Sequence, residues 1–578
     1  MSAKENRDRK THVRPAGSTA SVRRASSAAP KGTAAAGAPK ADEPLPERTA
    51  RRCAYGVVAA MVVFTVVLSV LSMQKYRAYE DGRYDTGIMV QTVFNTAHGH
   101  FLESTDAQGK QISRLGAHVD PIIAVFAIPW LVWPSADMLF VFQALIVALS
   151  AWPAFRLGTR VLGDPRAGFC VACALLLYPP LQYSVLNEFH PVTLAIPLLL
   201  FSFTYLEEDR RWAAVPFLVL AALCKEEIPL VIAVMGAYFA LRKRSLWPLA
   251  ITALATAWFV VAMGVVIPHY NAGGTPFVDR YADYGSNTGE VARNVFLRPD
   301  KTAADLFSGS NLAYWGRLLW PFLFLPLLSP LTTLIAAPEL ALNALASRIF
   351  HRSIEFHYVA GEVPFLFAGA VLGLARLRRW LERRSKAGGD GRGARRKARE
   401  RPPLAQRLPV TTLAGLVLAA SVAGNYFMGP LPFSLPGAEK SGKDYRVPAH
   451  ARALNKGVAV IPGDPKVKVS AGNIPGSHLS EREVIYVWPY VDAADWVIVD
   501  QTRPFWFGDE DKVRHDQALG LLVMNTDYLN VFAEDGVFVF KRVSGTAPPP
   551  GAPGASPSPQ PSLEAPPPLP TAAPTAGP

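Results

Sequence analysis

Four short polar motifs interrupt an otherwise apolar sequence, and their residue types suit acid–base and phosphate chemistry. A carboxylate such as that of Asp85 can take a proton from a hydroxyl group as a general base. Histidine and lysine can offset the negative charge that develops on a leaving phosphate, with or without a divalent cation held by carboxylates and histidines. The motifs are Tyr84-Asp85-Thr86-Gly87, His118-Val119-Asp120-Pro121, Glu188-Phe189-His190-Pro191 and Lys225-Glu226-Glu227.

Three of the motifs also have a purely structural interpretation. Aspartate is favoured at helix N-caps, so Asp85 can cap a following helix. Glu188 and His190 can open a helix at the proline that follows them, because proline suits the first helical turn. His118 and Asp120 can be polar residues at a membrane surface.

The charged triplet Lys225-Glu226-Glu227 is harder to explain structurally, because it lies inside the mostly apolar stretch 212–241. Ionisable groups at membrane depth are costly, and they pair with one another or line a water-filled cavity. Pairing within the triplet is the structural alternative. The four motifs lie far apart in sequence but share one membrane face in the topology derived below, and this convergence favours a single site.

Several classes of chemistry are excluded by missing motifs. The sequence has no phosphate-binding G-x-x-x-x-G-K-[ST] loop, no dinucleotide-binding glycine fingerprint and no H-E-x-x-H zinc motif. ATP is not available outside the cell, so a group transfer on that side needs an activated donor carried by lipid.

Cys170 and Cys173 have redox or metal spacing, but on an apolar helix we interpret them as small packing residues.

The composition describes a mixture of very apolar and very polar segments. Among 578 residues, 50% are hydrophobic and 18% are charged, and the formal net charge is +13. Segments 1–52 and 376–407 carry net charges of +7 and +10, so the remainder is slightly acidic. Both basic segments adjoin apolar runs, and Trp380 is the single aromatic residue within them. This pattern is typical of cytoplasmic flanks of membrane spans and not of nucleic-acid-binding arms.

The first membrane span is predicted at Cys53–Met73, an uncharged stretch long enough to cross about 30 Å of hydrocarbon. We interpret it as an uncleaved anchor with its N-terminal tail in the cytoplasm. Further apolar runs cover 119–133, 137–157, 166–183, 190–206, 212–224, 228–241, 246–268, 313–329, 331–347, 358–376 and 408–427.

Lysine and arginine assign the sides of the membrane. The basic turns at 156–166, 210–211 and 242–244 and the loop 376–407 all lie inside if 119–133 re-enters instead of crossing. This topology has eleven crossings, a cytoplasmic N-terminus and an extracytoplasmic C-terminus. The alternative is that 119–133 crosses and 212–241 forms one tilted helix.

A different composition follows the last span. The sequence predicts that residues 430–545 form a small extracytoplasmic α/β domain. Strands are predicted at Val484–Trp488 and Trp496–Asp500, and a hairpin is predicted to turn at Asp535-Gly536. A short helix is predicted at His515–Met524. The domain assignment is a disordered basic cytoplasmic tail at 1–52, a polytopic transmembrane domain at 53–429, the α/β domain at 430–545 and a disordered proline-rich tail at 546–578.

The motifs resemble a family of bacterial predicted membrane proteins, domain of unknown function 2079. The resemblance rests on segments 84–91, 116–121, 188–191 and 224–227, followed by 469–489, all in the family's order, and it covers residues 76–545. That family is similar in layout to the GT-C superfamily of glycosyltransferases that use polyprenyl-phosphate sugars. The resemblance implies a mainly α, GT-C-like fold with about eleven transmembrane helices beside the α/β domain.

The resemblance also implies roles for individual residues. The GT-C superfamily carries an acidic residue in its first outer loop, so Asp85 is the candidate base and Glu188 a second acidic catalytic residue. The first loop departs from the superfamily in holding a single aspartate where others hold an acidic pair. The predicted substrate-binding residues are Gln91, His118, Asp120, His190, Lys225, Glu226 and Glu227, with a divalent cation left open.

Three functions stay open at this point. The first is sugar transfer from a polyprenyl phosphate to a cell-envelope glycan, lipid or protein, with membrane lipid as a partner. The second is a transporter or flippase for an envelope metabolite, in which the same charges line a pathway. The third is a non-catalytic scaffold for envelope assembly. The alanine-, arginine- and proline-rich tails indicate a high-GC coding sequence, as in actinobacteria.

Overall fold

The structure is a computed structural model that describes residues 45–107, 109–271, 277–387, 409–434, 445–504 and 509–543. The predicted tail 546–578, most of the tail 1–52 and most of the basic loop 376–407 lie outside these ranges.

The described chain is mainly helical. Its α-helices are α1 Leu45–Arg77, α2 Ile88–Ala97, α3 Ala127–Trp130, α4 Ala136–Ala148, α5 Ala151–Leu162, α6 Pro165–Leu176, α7 Pro179–Leu186, α8 Ala195–Glu207, α9 Arg211–Ala222, α10 Ile228–Lys243, α11 Leu249–Val261, α12 Ile267–Tyr270, α13 Thr288–Leu297, α14 Pro299–Leu306, α15 Gly309–Leu319, α16 Pro330–Thr333, α17 Ala337–Leu345, α18 Val363–Ala387, α19 Val410–Met428, α20 Ala451–Val460, α21 Asn473–Gly476 and α22 Asp509–Met524. Short π- or 3₁₀-helical turns link several of them, notably Arg83–Gly87, Pro121–Phe126 and Pro191–Leu194.

Four helices among the described residues are long and apolar enough to cross a membrane. They are Glu47–Arg77, Ala136–Leu162, Leu249–Tyr270 and Val410–Met428, and the pair α6–α7, bent by 45°, is a fifth candidate. The bend falls where Pro179-Pro180 begins α7, since proline cannot donate to the preceding turn. In the described part of the chain, helix length and composition identify only these four or five candidate spans. The eleven crossings therefore stay a prediction.

Proline and buried charge break several of the predicted spans. In 212–241, α9 and α10 are separate helices, so the alternative of one continuous helix is wrong. In 313–347, the chain passes through 3₁₀ turns with Leu323 and Phe324 at positive φ before α17 begins. Segment 119–133 forms a 3₁₀ turn and the single-turn α3, which is too short to span.

The helices share one large apolar core, while α1 also presents apolar residues outwards. Val62, Val63 and Val66 of α1 are each more than half exposed. A solvent-exposed helix face of this kind is unfavourable in water and suits hydrocarbon. Cys170 and Cys173 are half-buried free thiols on successive turns of α6.

Strands occur in two places. A small antiparallel hairpin consists of β1 Glu103–Thr105 and β2 Gln111–Ser113. A five-stranded sheet consists of β3 Val469–Ala471, β4 Ile485–Val487, β5 Trp496–Asp500, β6 Tyr528–Glu534 and β7 Val537–Arg542. Its order is β4-β3-β5-β7-β6, with β3 parallel to β4 and β5 and the other pairs antiparallel.

This sheet and its helices form the sheet module, defined as the described residues of 445–543. One face packs on α20 and the other on α22. The positions of β4, β5, the β6–β7 hairpin and α22 agree with the strands and helix predicted from the sequence, although α22 begins earlier, at Asp509. Asp535 and Gly536 both have positive φ, as a tight hairpin turn requires.

A histidine between two carboxylates makes the stability of the sheet module depend on pH. In His450, Nδ1 lies 2.8 Å from Asp535 and Nε2 lies 3.0 Å from Asp500. Burial lowers the pKa of His450, but the hydrogen bonds to Asp535 and Asp500 outweigh it and raise the pKa above its usual value. The stabilisation is therefore complete below the unfolded pKa of about 6.5 and is lost as pH rises through the folded pKa.

We expect the melting temperature of the full-length protein to fall as pH rises above about 6.5, and His450→Gln to flatten this dependence. Thermal unfolding in detergent at a series of pH values measures it. His269→Gln, which changes an exposed histidine, is the control. An unchanged pH slope in His450→Gln would contradict the ion-pair argument.

Candidate active site

One cavity collects most of the residues that the sequence singled out. It measures about 60 Å³, and Asp85, His118, Asp120, His190 and Lys225 line it. These residues come from loops that follow α1, β2, α7 and α9, so the helices bring their loops together at one end of the bundle. The motifs that are far apart in sequence therefore converge in space.

Asp85 lies on the π-helical turn Arg83–Gly87 and forms no capping bond to α2. Its Oδ1 is 3.2 Å from Nε2 of His190, whose Nδ1 is 2.9 Å from the carbonyl oxygen of Asn187. Both ring nitrogens thus face acceptors, and a neutral ring can donate to only one of them. Asp85 and His190 therefore form a hydrogen-bonded pair in the cavity wall.

Glu188 does not line the cavity but lies behind the Asp85 turn. Its carboxylate accepts hydrogen bonds from the backbone N–H of Thr86 at 2.8 Å and of Gly82 at 3.3 Å. Burial, together with the charges of Asp85 and Asp81, raises the pKa of Glu188 well above its usual range. A carboxyl group accepts N–H bonds whether or not it is protonated, so Glu188 fixes the backbone next to Asp85.

His118 lies in the cavity wall beside a carboxylate and two cations. Burial, with Lys225 and Arg114 nearby, lowers its pKa well below the usual value. Its Nδ1 lies 2.8 Å from Oε1 of Glu226, and this contact fixes the orientation of the ring. Glu226 also accepts the backbone N–H of Val119 at 3.0 Å, which fixes the His118 loop.

Asp120 holds an arginine that the sequence analysis missed. Arg114 donates from Nε at 2.9 Å and from a terminal nitrogen at 2.6 Å to the Asp120 carboxylate. Both side chains are buried, and both residues line the cavity. A bidentate pair of this type fixes the guanidinium plane and leaves its remaining N–H groups for another anion.

Asp120→Asn is expected to lower the free energy of unfolding by about 3–5 kcal/mol, because it leaves the Arg114 charge buried without a charged partner. Chemical or thermal unfolding of the purified protein in detergent measures the change. Asp137→Asn is the matched control, since Asp137 pairs with the exposed Arg77 at 3.1 Å, and such pairs contribute about 0–1 kcal/mol. Equal effects of the two substitutions would contradict a buried role for the Asp120 pair.

Two further cations complete the cavity wall. Lys225 pairs with Glu227 at 2.7 Å and lies 5.6 Å from the ring centre of Tyr358. Arg280, which the sequence analysis also missed, is buried and stacks over Phe277 at 4.1 Å. The pairing predicted inside the charged triplet therefore involves Lys225 and Glu227, whereas Glu226 turns to the His118 loop.

Gln91, which the sequence predicts as a substrate-binding residue, lies on α2 outside the cavity. Its side chain is fully buried. The β1–β2 hairpin and the sheet module cover this face of α2, and Gln91 donates to Thr105 at 2.8 Å and to the carbonyl oxygen of Glu483 at 3.0 Å. Gln91 thus connects α2 to β1 and to the sheet module, and it does not line the cavity.

The arrangement suits an anionic ligand beside a proton acceptor. Three cations, Arg114, Lys225 and Arg280, line the same cavity as Asp85 and His190. Within the described residues, no group of three or more His, Cys, Asp or Glu side chains is arranged to hold a metal ion. The cationic side chains in the cavity wall can stabilise negative charge that develops there.

Comparison with known proteins gives one family. The family described as predicted membrane protein, DUF2079, matches residues 78–539, close to the 76–545 expected from the motifs. No curated protein sequence matches the chain.

Solved structures of ArnT from Cupriavidus metallidurans are similar in overall layout. The structure bound to undecaprenyl phosphate aligns with 14% identity and a TM-score of 0.49, over 86% of this chain and 100% of that one. The apo structure aligns with 12% identity and a TM-score of 0.43, over 85% and 98%. At these values the two structures do not bear on the substrate of this chain.

Proposed function

The chain belongs to the DUF2079 family of predicted membrane proteins, and we propose that its cavity transfers a sugar from a polyprenyl phosphate to a cell-envelope acceptor. The observation that carries this proposal is the single cavity in which the Asp85–His190 pair faces space shared with Arg114, Lys225 and Arg280. Proton removal and phosphate departure are the two demands of such a transfer, and both kinds of group are present.

The reaction we propose is a substitution at the anomeric carbon. The hydroxyl oxygen of the acceptor attacks that carbon, and the bond from the carbon to the phosphate oxygen breaks. Asp85 takes the hydroxyl proton as general base, with His190 sharing it. The phosphate leaves on its lipid carrier, and Lys225 and Arg280 offset its charge.

The remaining residues support these groups. Arg114, held by Asp120, offers its free N–H groups to the phosphate, and His118, held at Nδ1 by Glu226, can form a hydrogen bond with a sugar hydroxyl through Nε2. Glu188, proposed from the sequence as a second catalytic acid, is better assigned as a positioning residue, because its carboxylate is engaged by backbone N–H groups.

We further propose that this chemistry faces outwards. The basic segments 1–52 and 376–407 are expected to lie in the cytoplasm, because positively charged flanks of membrane spans usually stay on that side. With eleven crossings, the cavity and the sheet module lie on the extracytoplasmic side, where a lipid-linked donor replaces a nucleotide sugar. Cysteine labelling of the two termini with an impermeant reagent tests this orientation.

The test of the function begins with a deletion strain. We expect loss of one envelope glycan, glycolipid or glycoprotein in the deletion strain, and its return with the wild-type chain. The purified protein in nanodiscs, given labelled polyprenyl-phosphate sugars and envelope extract, is then expected to form a glycosidic product. Vectorial movement of labelled lipid in vesicles that lack acceptor, without such a product, would instead establish a transporter.

A further inference from the structure

The carboxyl ends of β3 and β5 meet the loop that carries Asp85. In open α/β sheets, ligands bind outside the carboxyl ends of parallel strands, where neighbouring connections diverge. Strand β3 lies between its parallel neighbours β4 and β5, so such an edge is present in the sheet module. The chain's own segment 79–87 occupies this edge.

Side chains in the chain segments after β3 and β5 form hydrogen bonds with residues of segment 79–87. After β3, Oδ1 of Asn473 accepts the backbone N–H of Tyr84 at 3.0 Å, and Oγ of Ser477 donates to the carbonyl oxygen of Asp81 at 3.0 Å. After β5, Arg503 donates to Glu80 at 2.9 Å. The contacts are polar and directional, so they fix the register of the loop as well as its distance from the sheet.

The fit between loop and module leaves no spare room. A Cβ atom on Gly82 would lie 2.5 Å from Nδ2 of Asn473, closer than such atoms approach in proteins. Next to the end of α1, the ring of His478 from the sheet module stacks between the rings of Tyr76 and Tyr79, with both ring centres 4.0 Å away. Nε2 of His478 also lies 2.9 Å from the carbonyl oxygen of Tyr76.

We propose that the sheet module positions the catalytic loop and that Asn473 is the positioning residue for Asp85. This inference rests on the proposed role of Asp85. The two residues that flank Asp85 are each held through their backbone N–H, Tyr84 by Asn473 and Thr86 by Glu188. Asp85 is thus fixed from both sides by side chains from distant parts of the chain, which keeps its carboxylate aligned with the cavity.

The first experiment measures the loop without reference to activity. We expect Asn473→Ala to raise amide hydrogen exchange in the peptide that covers residues 79–87 of the full-length protein in nanodiscs. Asn473→Asp keeps the acceptor oxygen and is expected to restore slow exchange. Asn525→Ala, which removes a capping contact to the backbone N–H of Asp527, is the matched control elsewhere in the sheet module.

The second experiment closes the contact covalently. The Gly82 Cβ position lies 3.0 Å from Cγ of Asn473, the atom whose place a cysteine sulfur would take. Gly82→Cys combined with Asn473→Cys therefore brings two thiols within reach of a disulfide. We expect the disulfide to form on mild oxidation, identified as a linked peptide by mass spectrometry. Transfer is expected to be weak in the reduced variant and to recover on oxidation.

The outcomes separate this inference from the proposed function. Faster exchange in Asn473→Ala, with a lower kcat, an unchanged KM and rescue by Asn473→Asp, supports it. Unchanged exchange, or a loosened loop with full transfer, overturns it. If Asp85→Asn is fully active, the proposed function fails, whereas the exchange and disulfide results still decide whether the module holds the loop.

Discussion

Replacing Asp85 with asparagine is expected to lower the rate of sugar transfer by roughly 10²–10⁴-fold, the usual contribution of a general base. Asparagine has nearly the same shape and can still contact Nε2 of His190 through its amide, so the turn Arg83–Gly87 should keep its conformation. It cannot take a proton, and the acceptor hydroxyl would have to attack unassisted. The loss should fall on kcat, because the cationic wall that binds phosphate is unchanged.

The measurement is product formation by the purified variant in nanodiscs, together with complementation of a deletion strain at equal protein level. Asp137→Asn is the control, because it removes a carboxylate of the same type from the surface pair with Arg77. Full transfer by Asp85→Asn at normal protein level would exclude Asp85 as the base. An equal loss in both variants would point to a general effect of removing charge.

The sequence predicts which motifs meet but not what each residue does there. Alternating inside and outside loops bring the motifs of Asp85, His118, His190 and Lys225 to one end of the bundle, and the structure brings them to one cavity. This part is predictable because apolar runs and basic loops are strong signals. The same signals do not report helix breaks, so the 3₁₀ turns within 313–347 were predicted as two plain spans.

The missed residues share a physical reason. Arg114 and Arg280 are single arginines in loops, and nothing in the local pattern separates them from surface arginines. Their burial depends on tertiary partners, Asp120 for Arg114 and the ring of Phe277 for Arg280. Gln91 was predicted as a substrate-binding residue, because the local pattern of α2 does not show that the β1–β2 hairpin and the sheet module cover it.

Glu188 provides the test that separates a positioning residue from a catalytic one. Glu188→Ala leaves the buried N–H groups of Thr86 and Gly82 without their acceptor, at about 1–3 kcal/mol each. The Asp85 turn should then shift, and a displacement of about 1 Å can lower kcat by about 10²-fold.

Glu188→Gln should behave differently from Glu188→Ala, because its single amide oxygen can still accept the short bond from Thr86. We expect its kcat to stay within about tenfold of wild type, as the weakening of one hydrogen bond by about 1.4 kcal/mol allows. If Glu188 instead handled the proton itself, glutamine and alanine would be equally inactive and would match Asp85→Asn. The ratio of kcat between Glu188→Gln and Glu188→Ala therefore decides its role, and melting temperatures of both variants show whether each is folded.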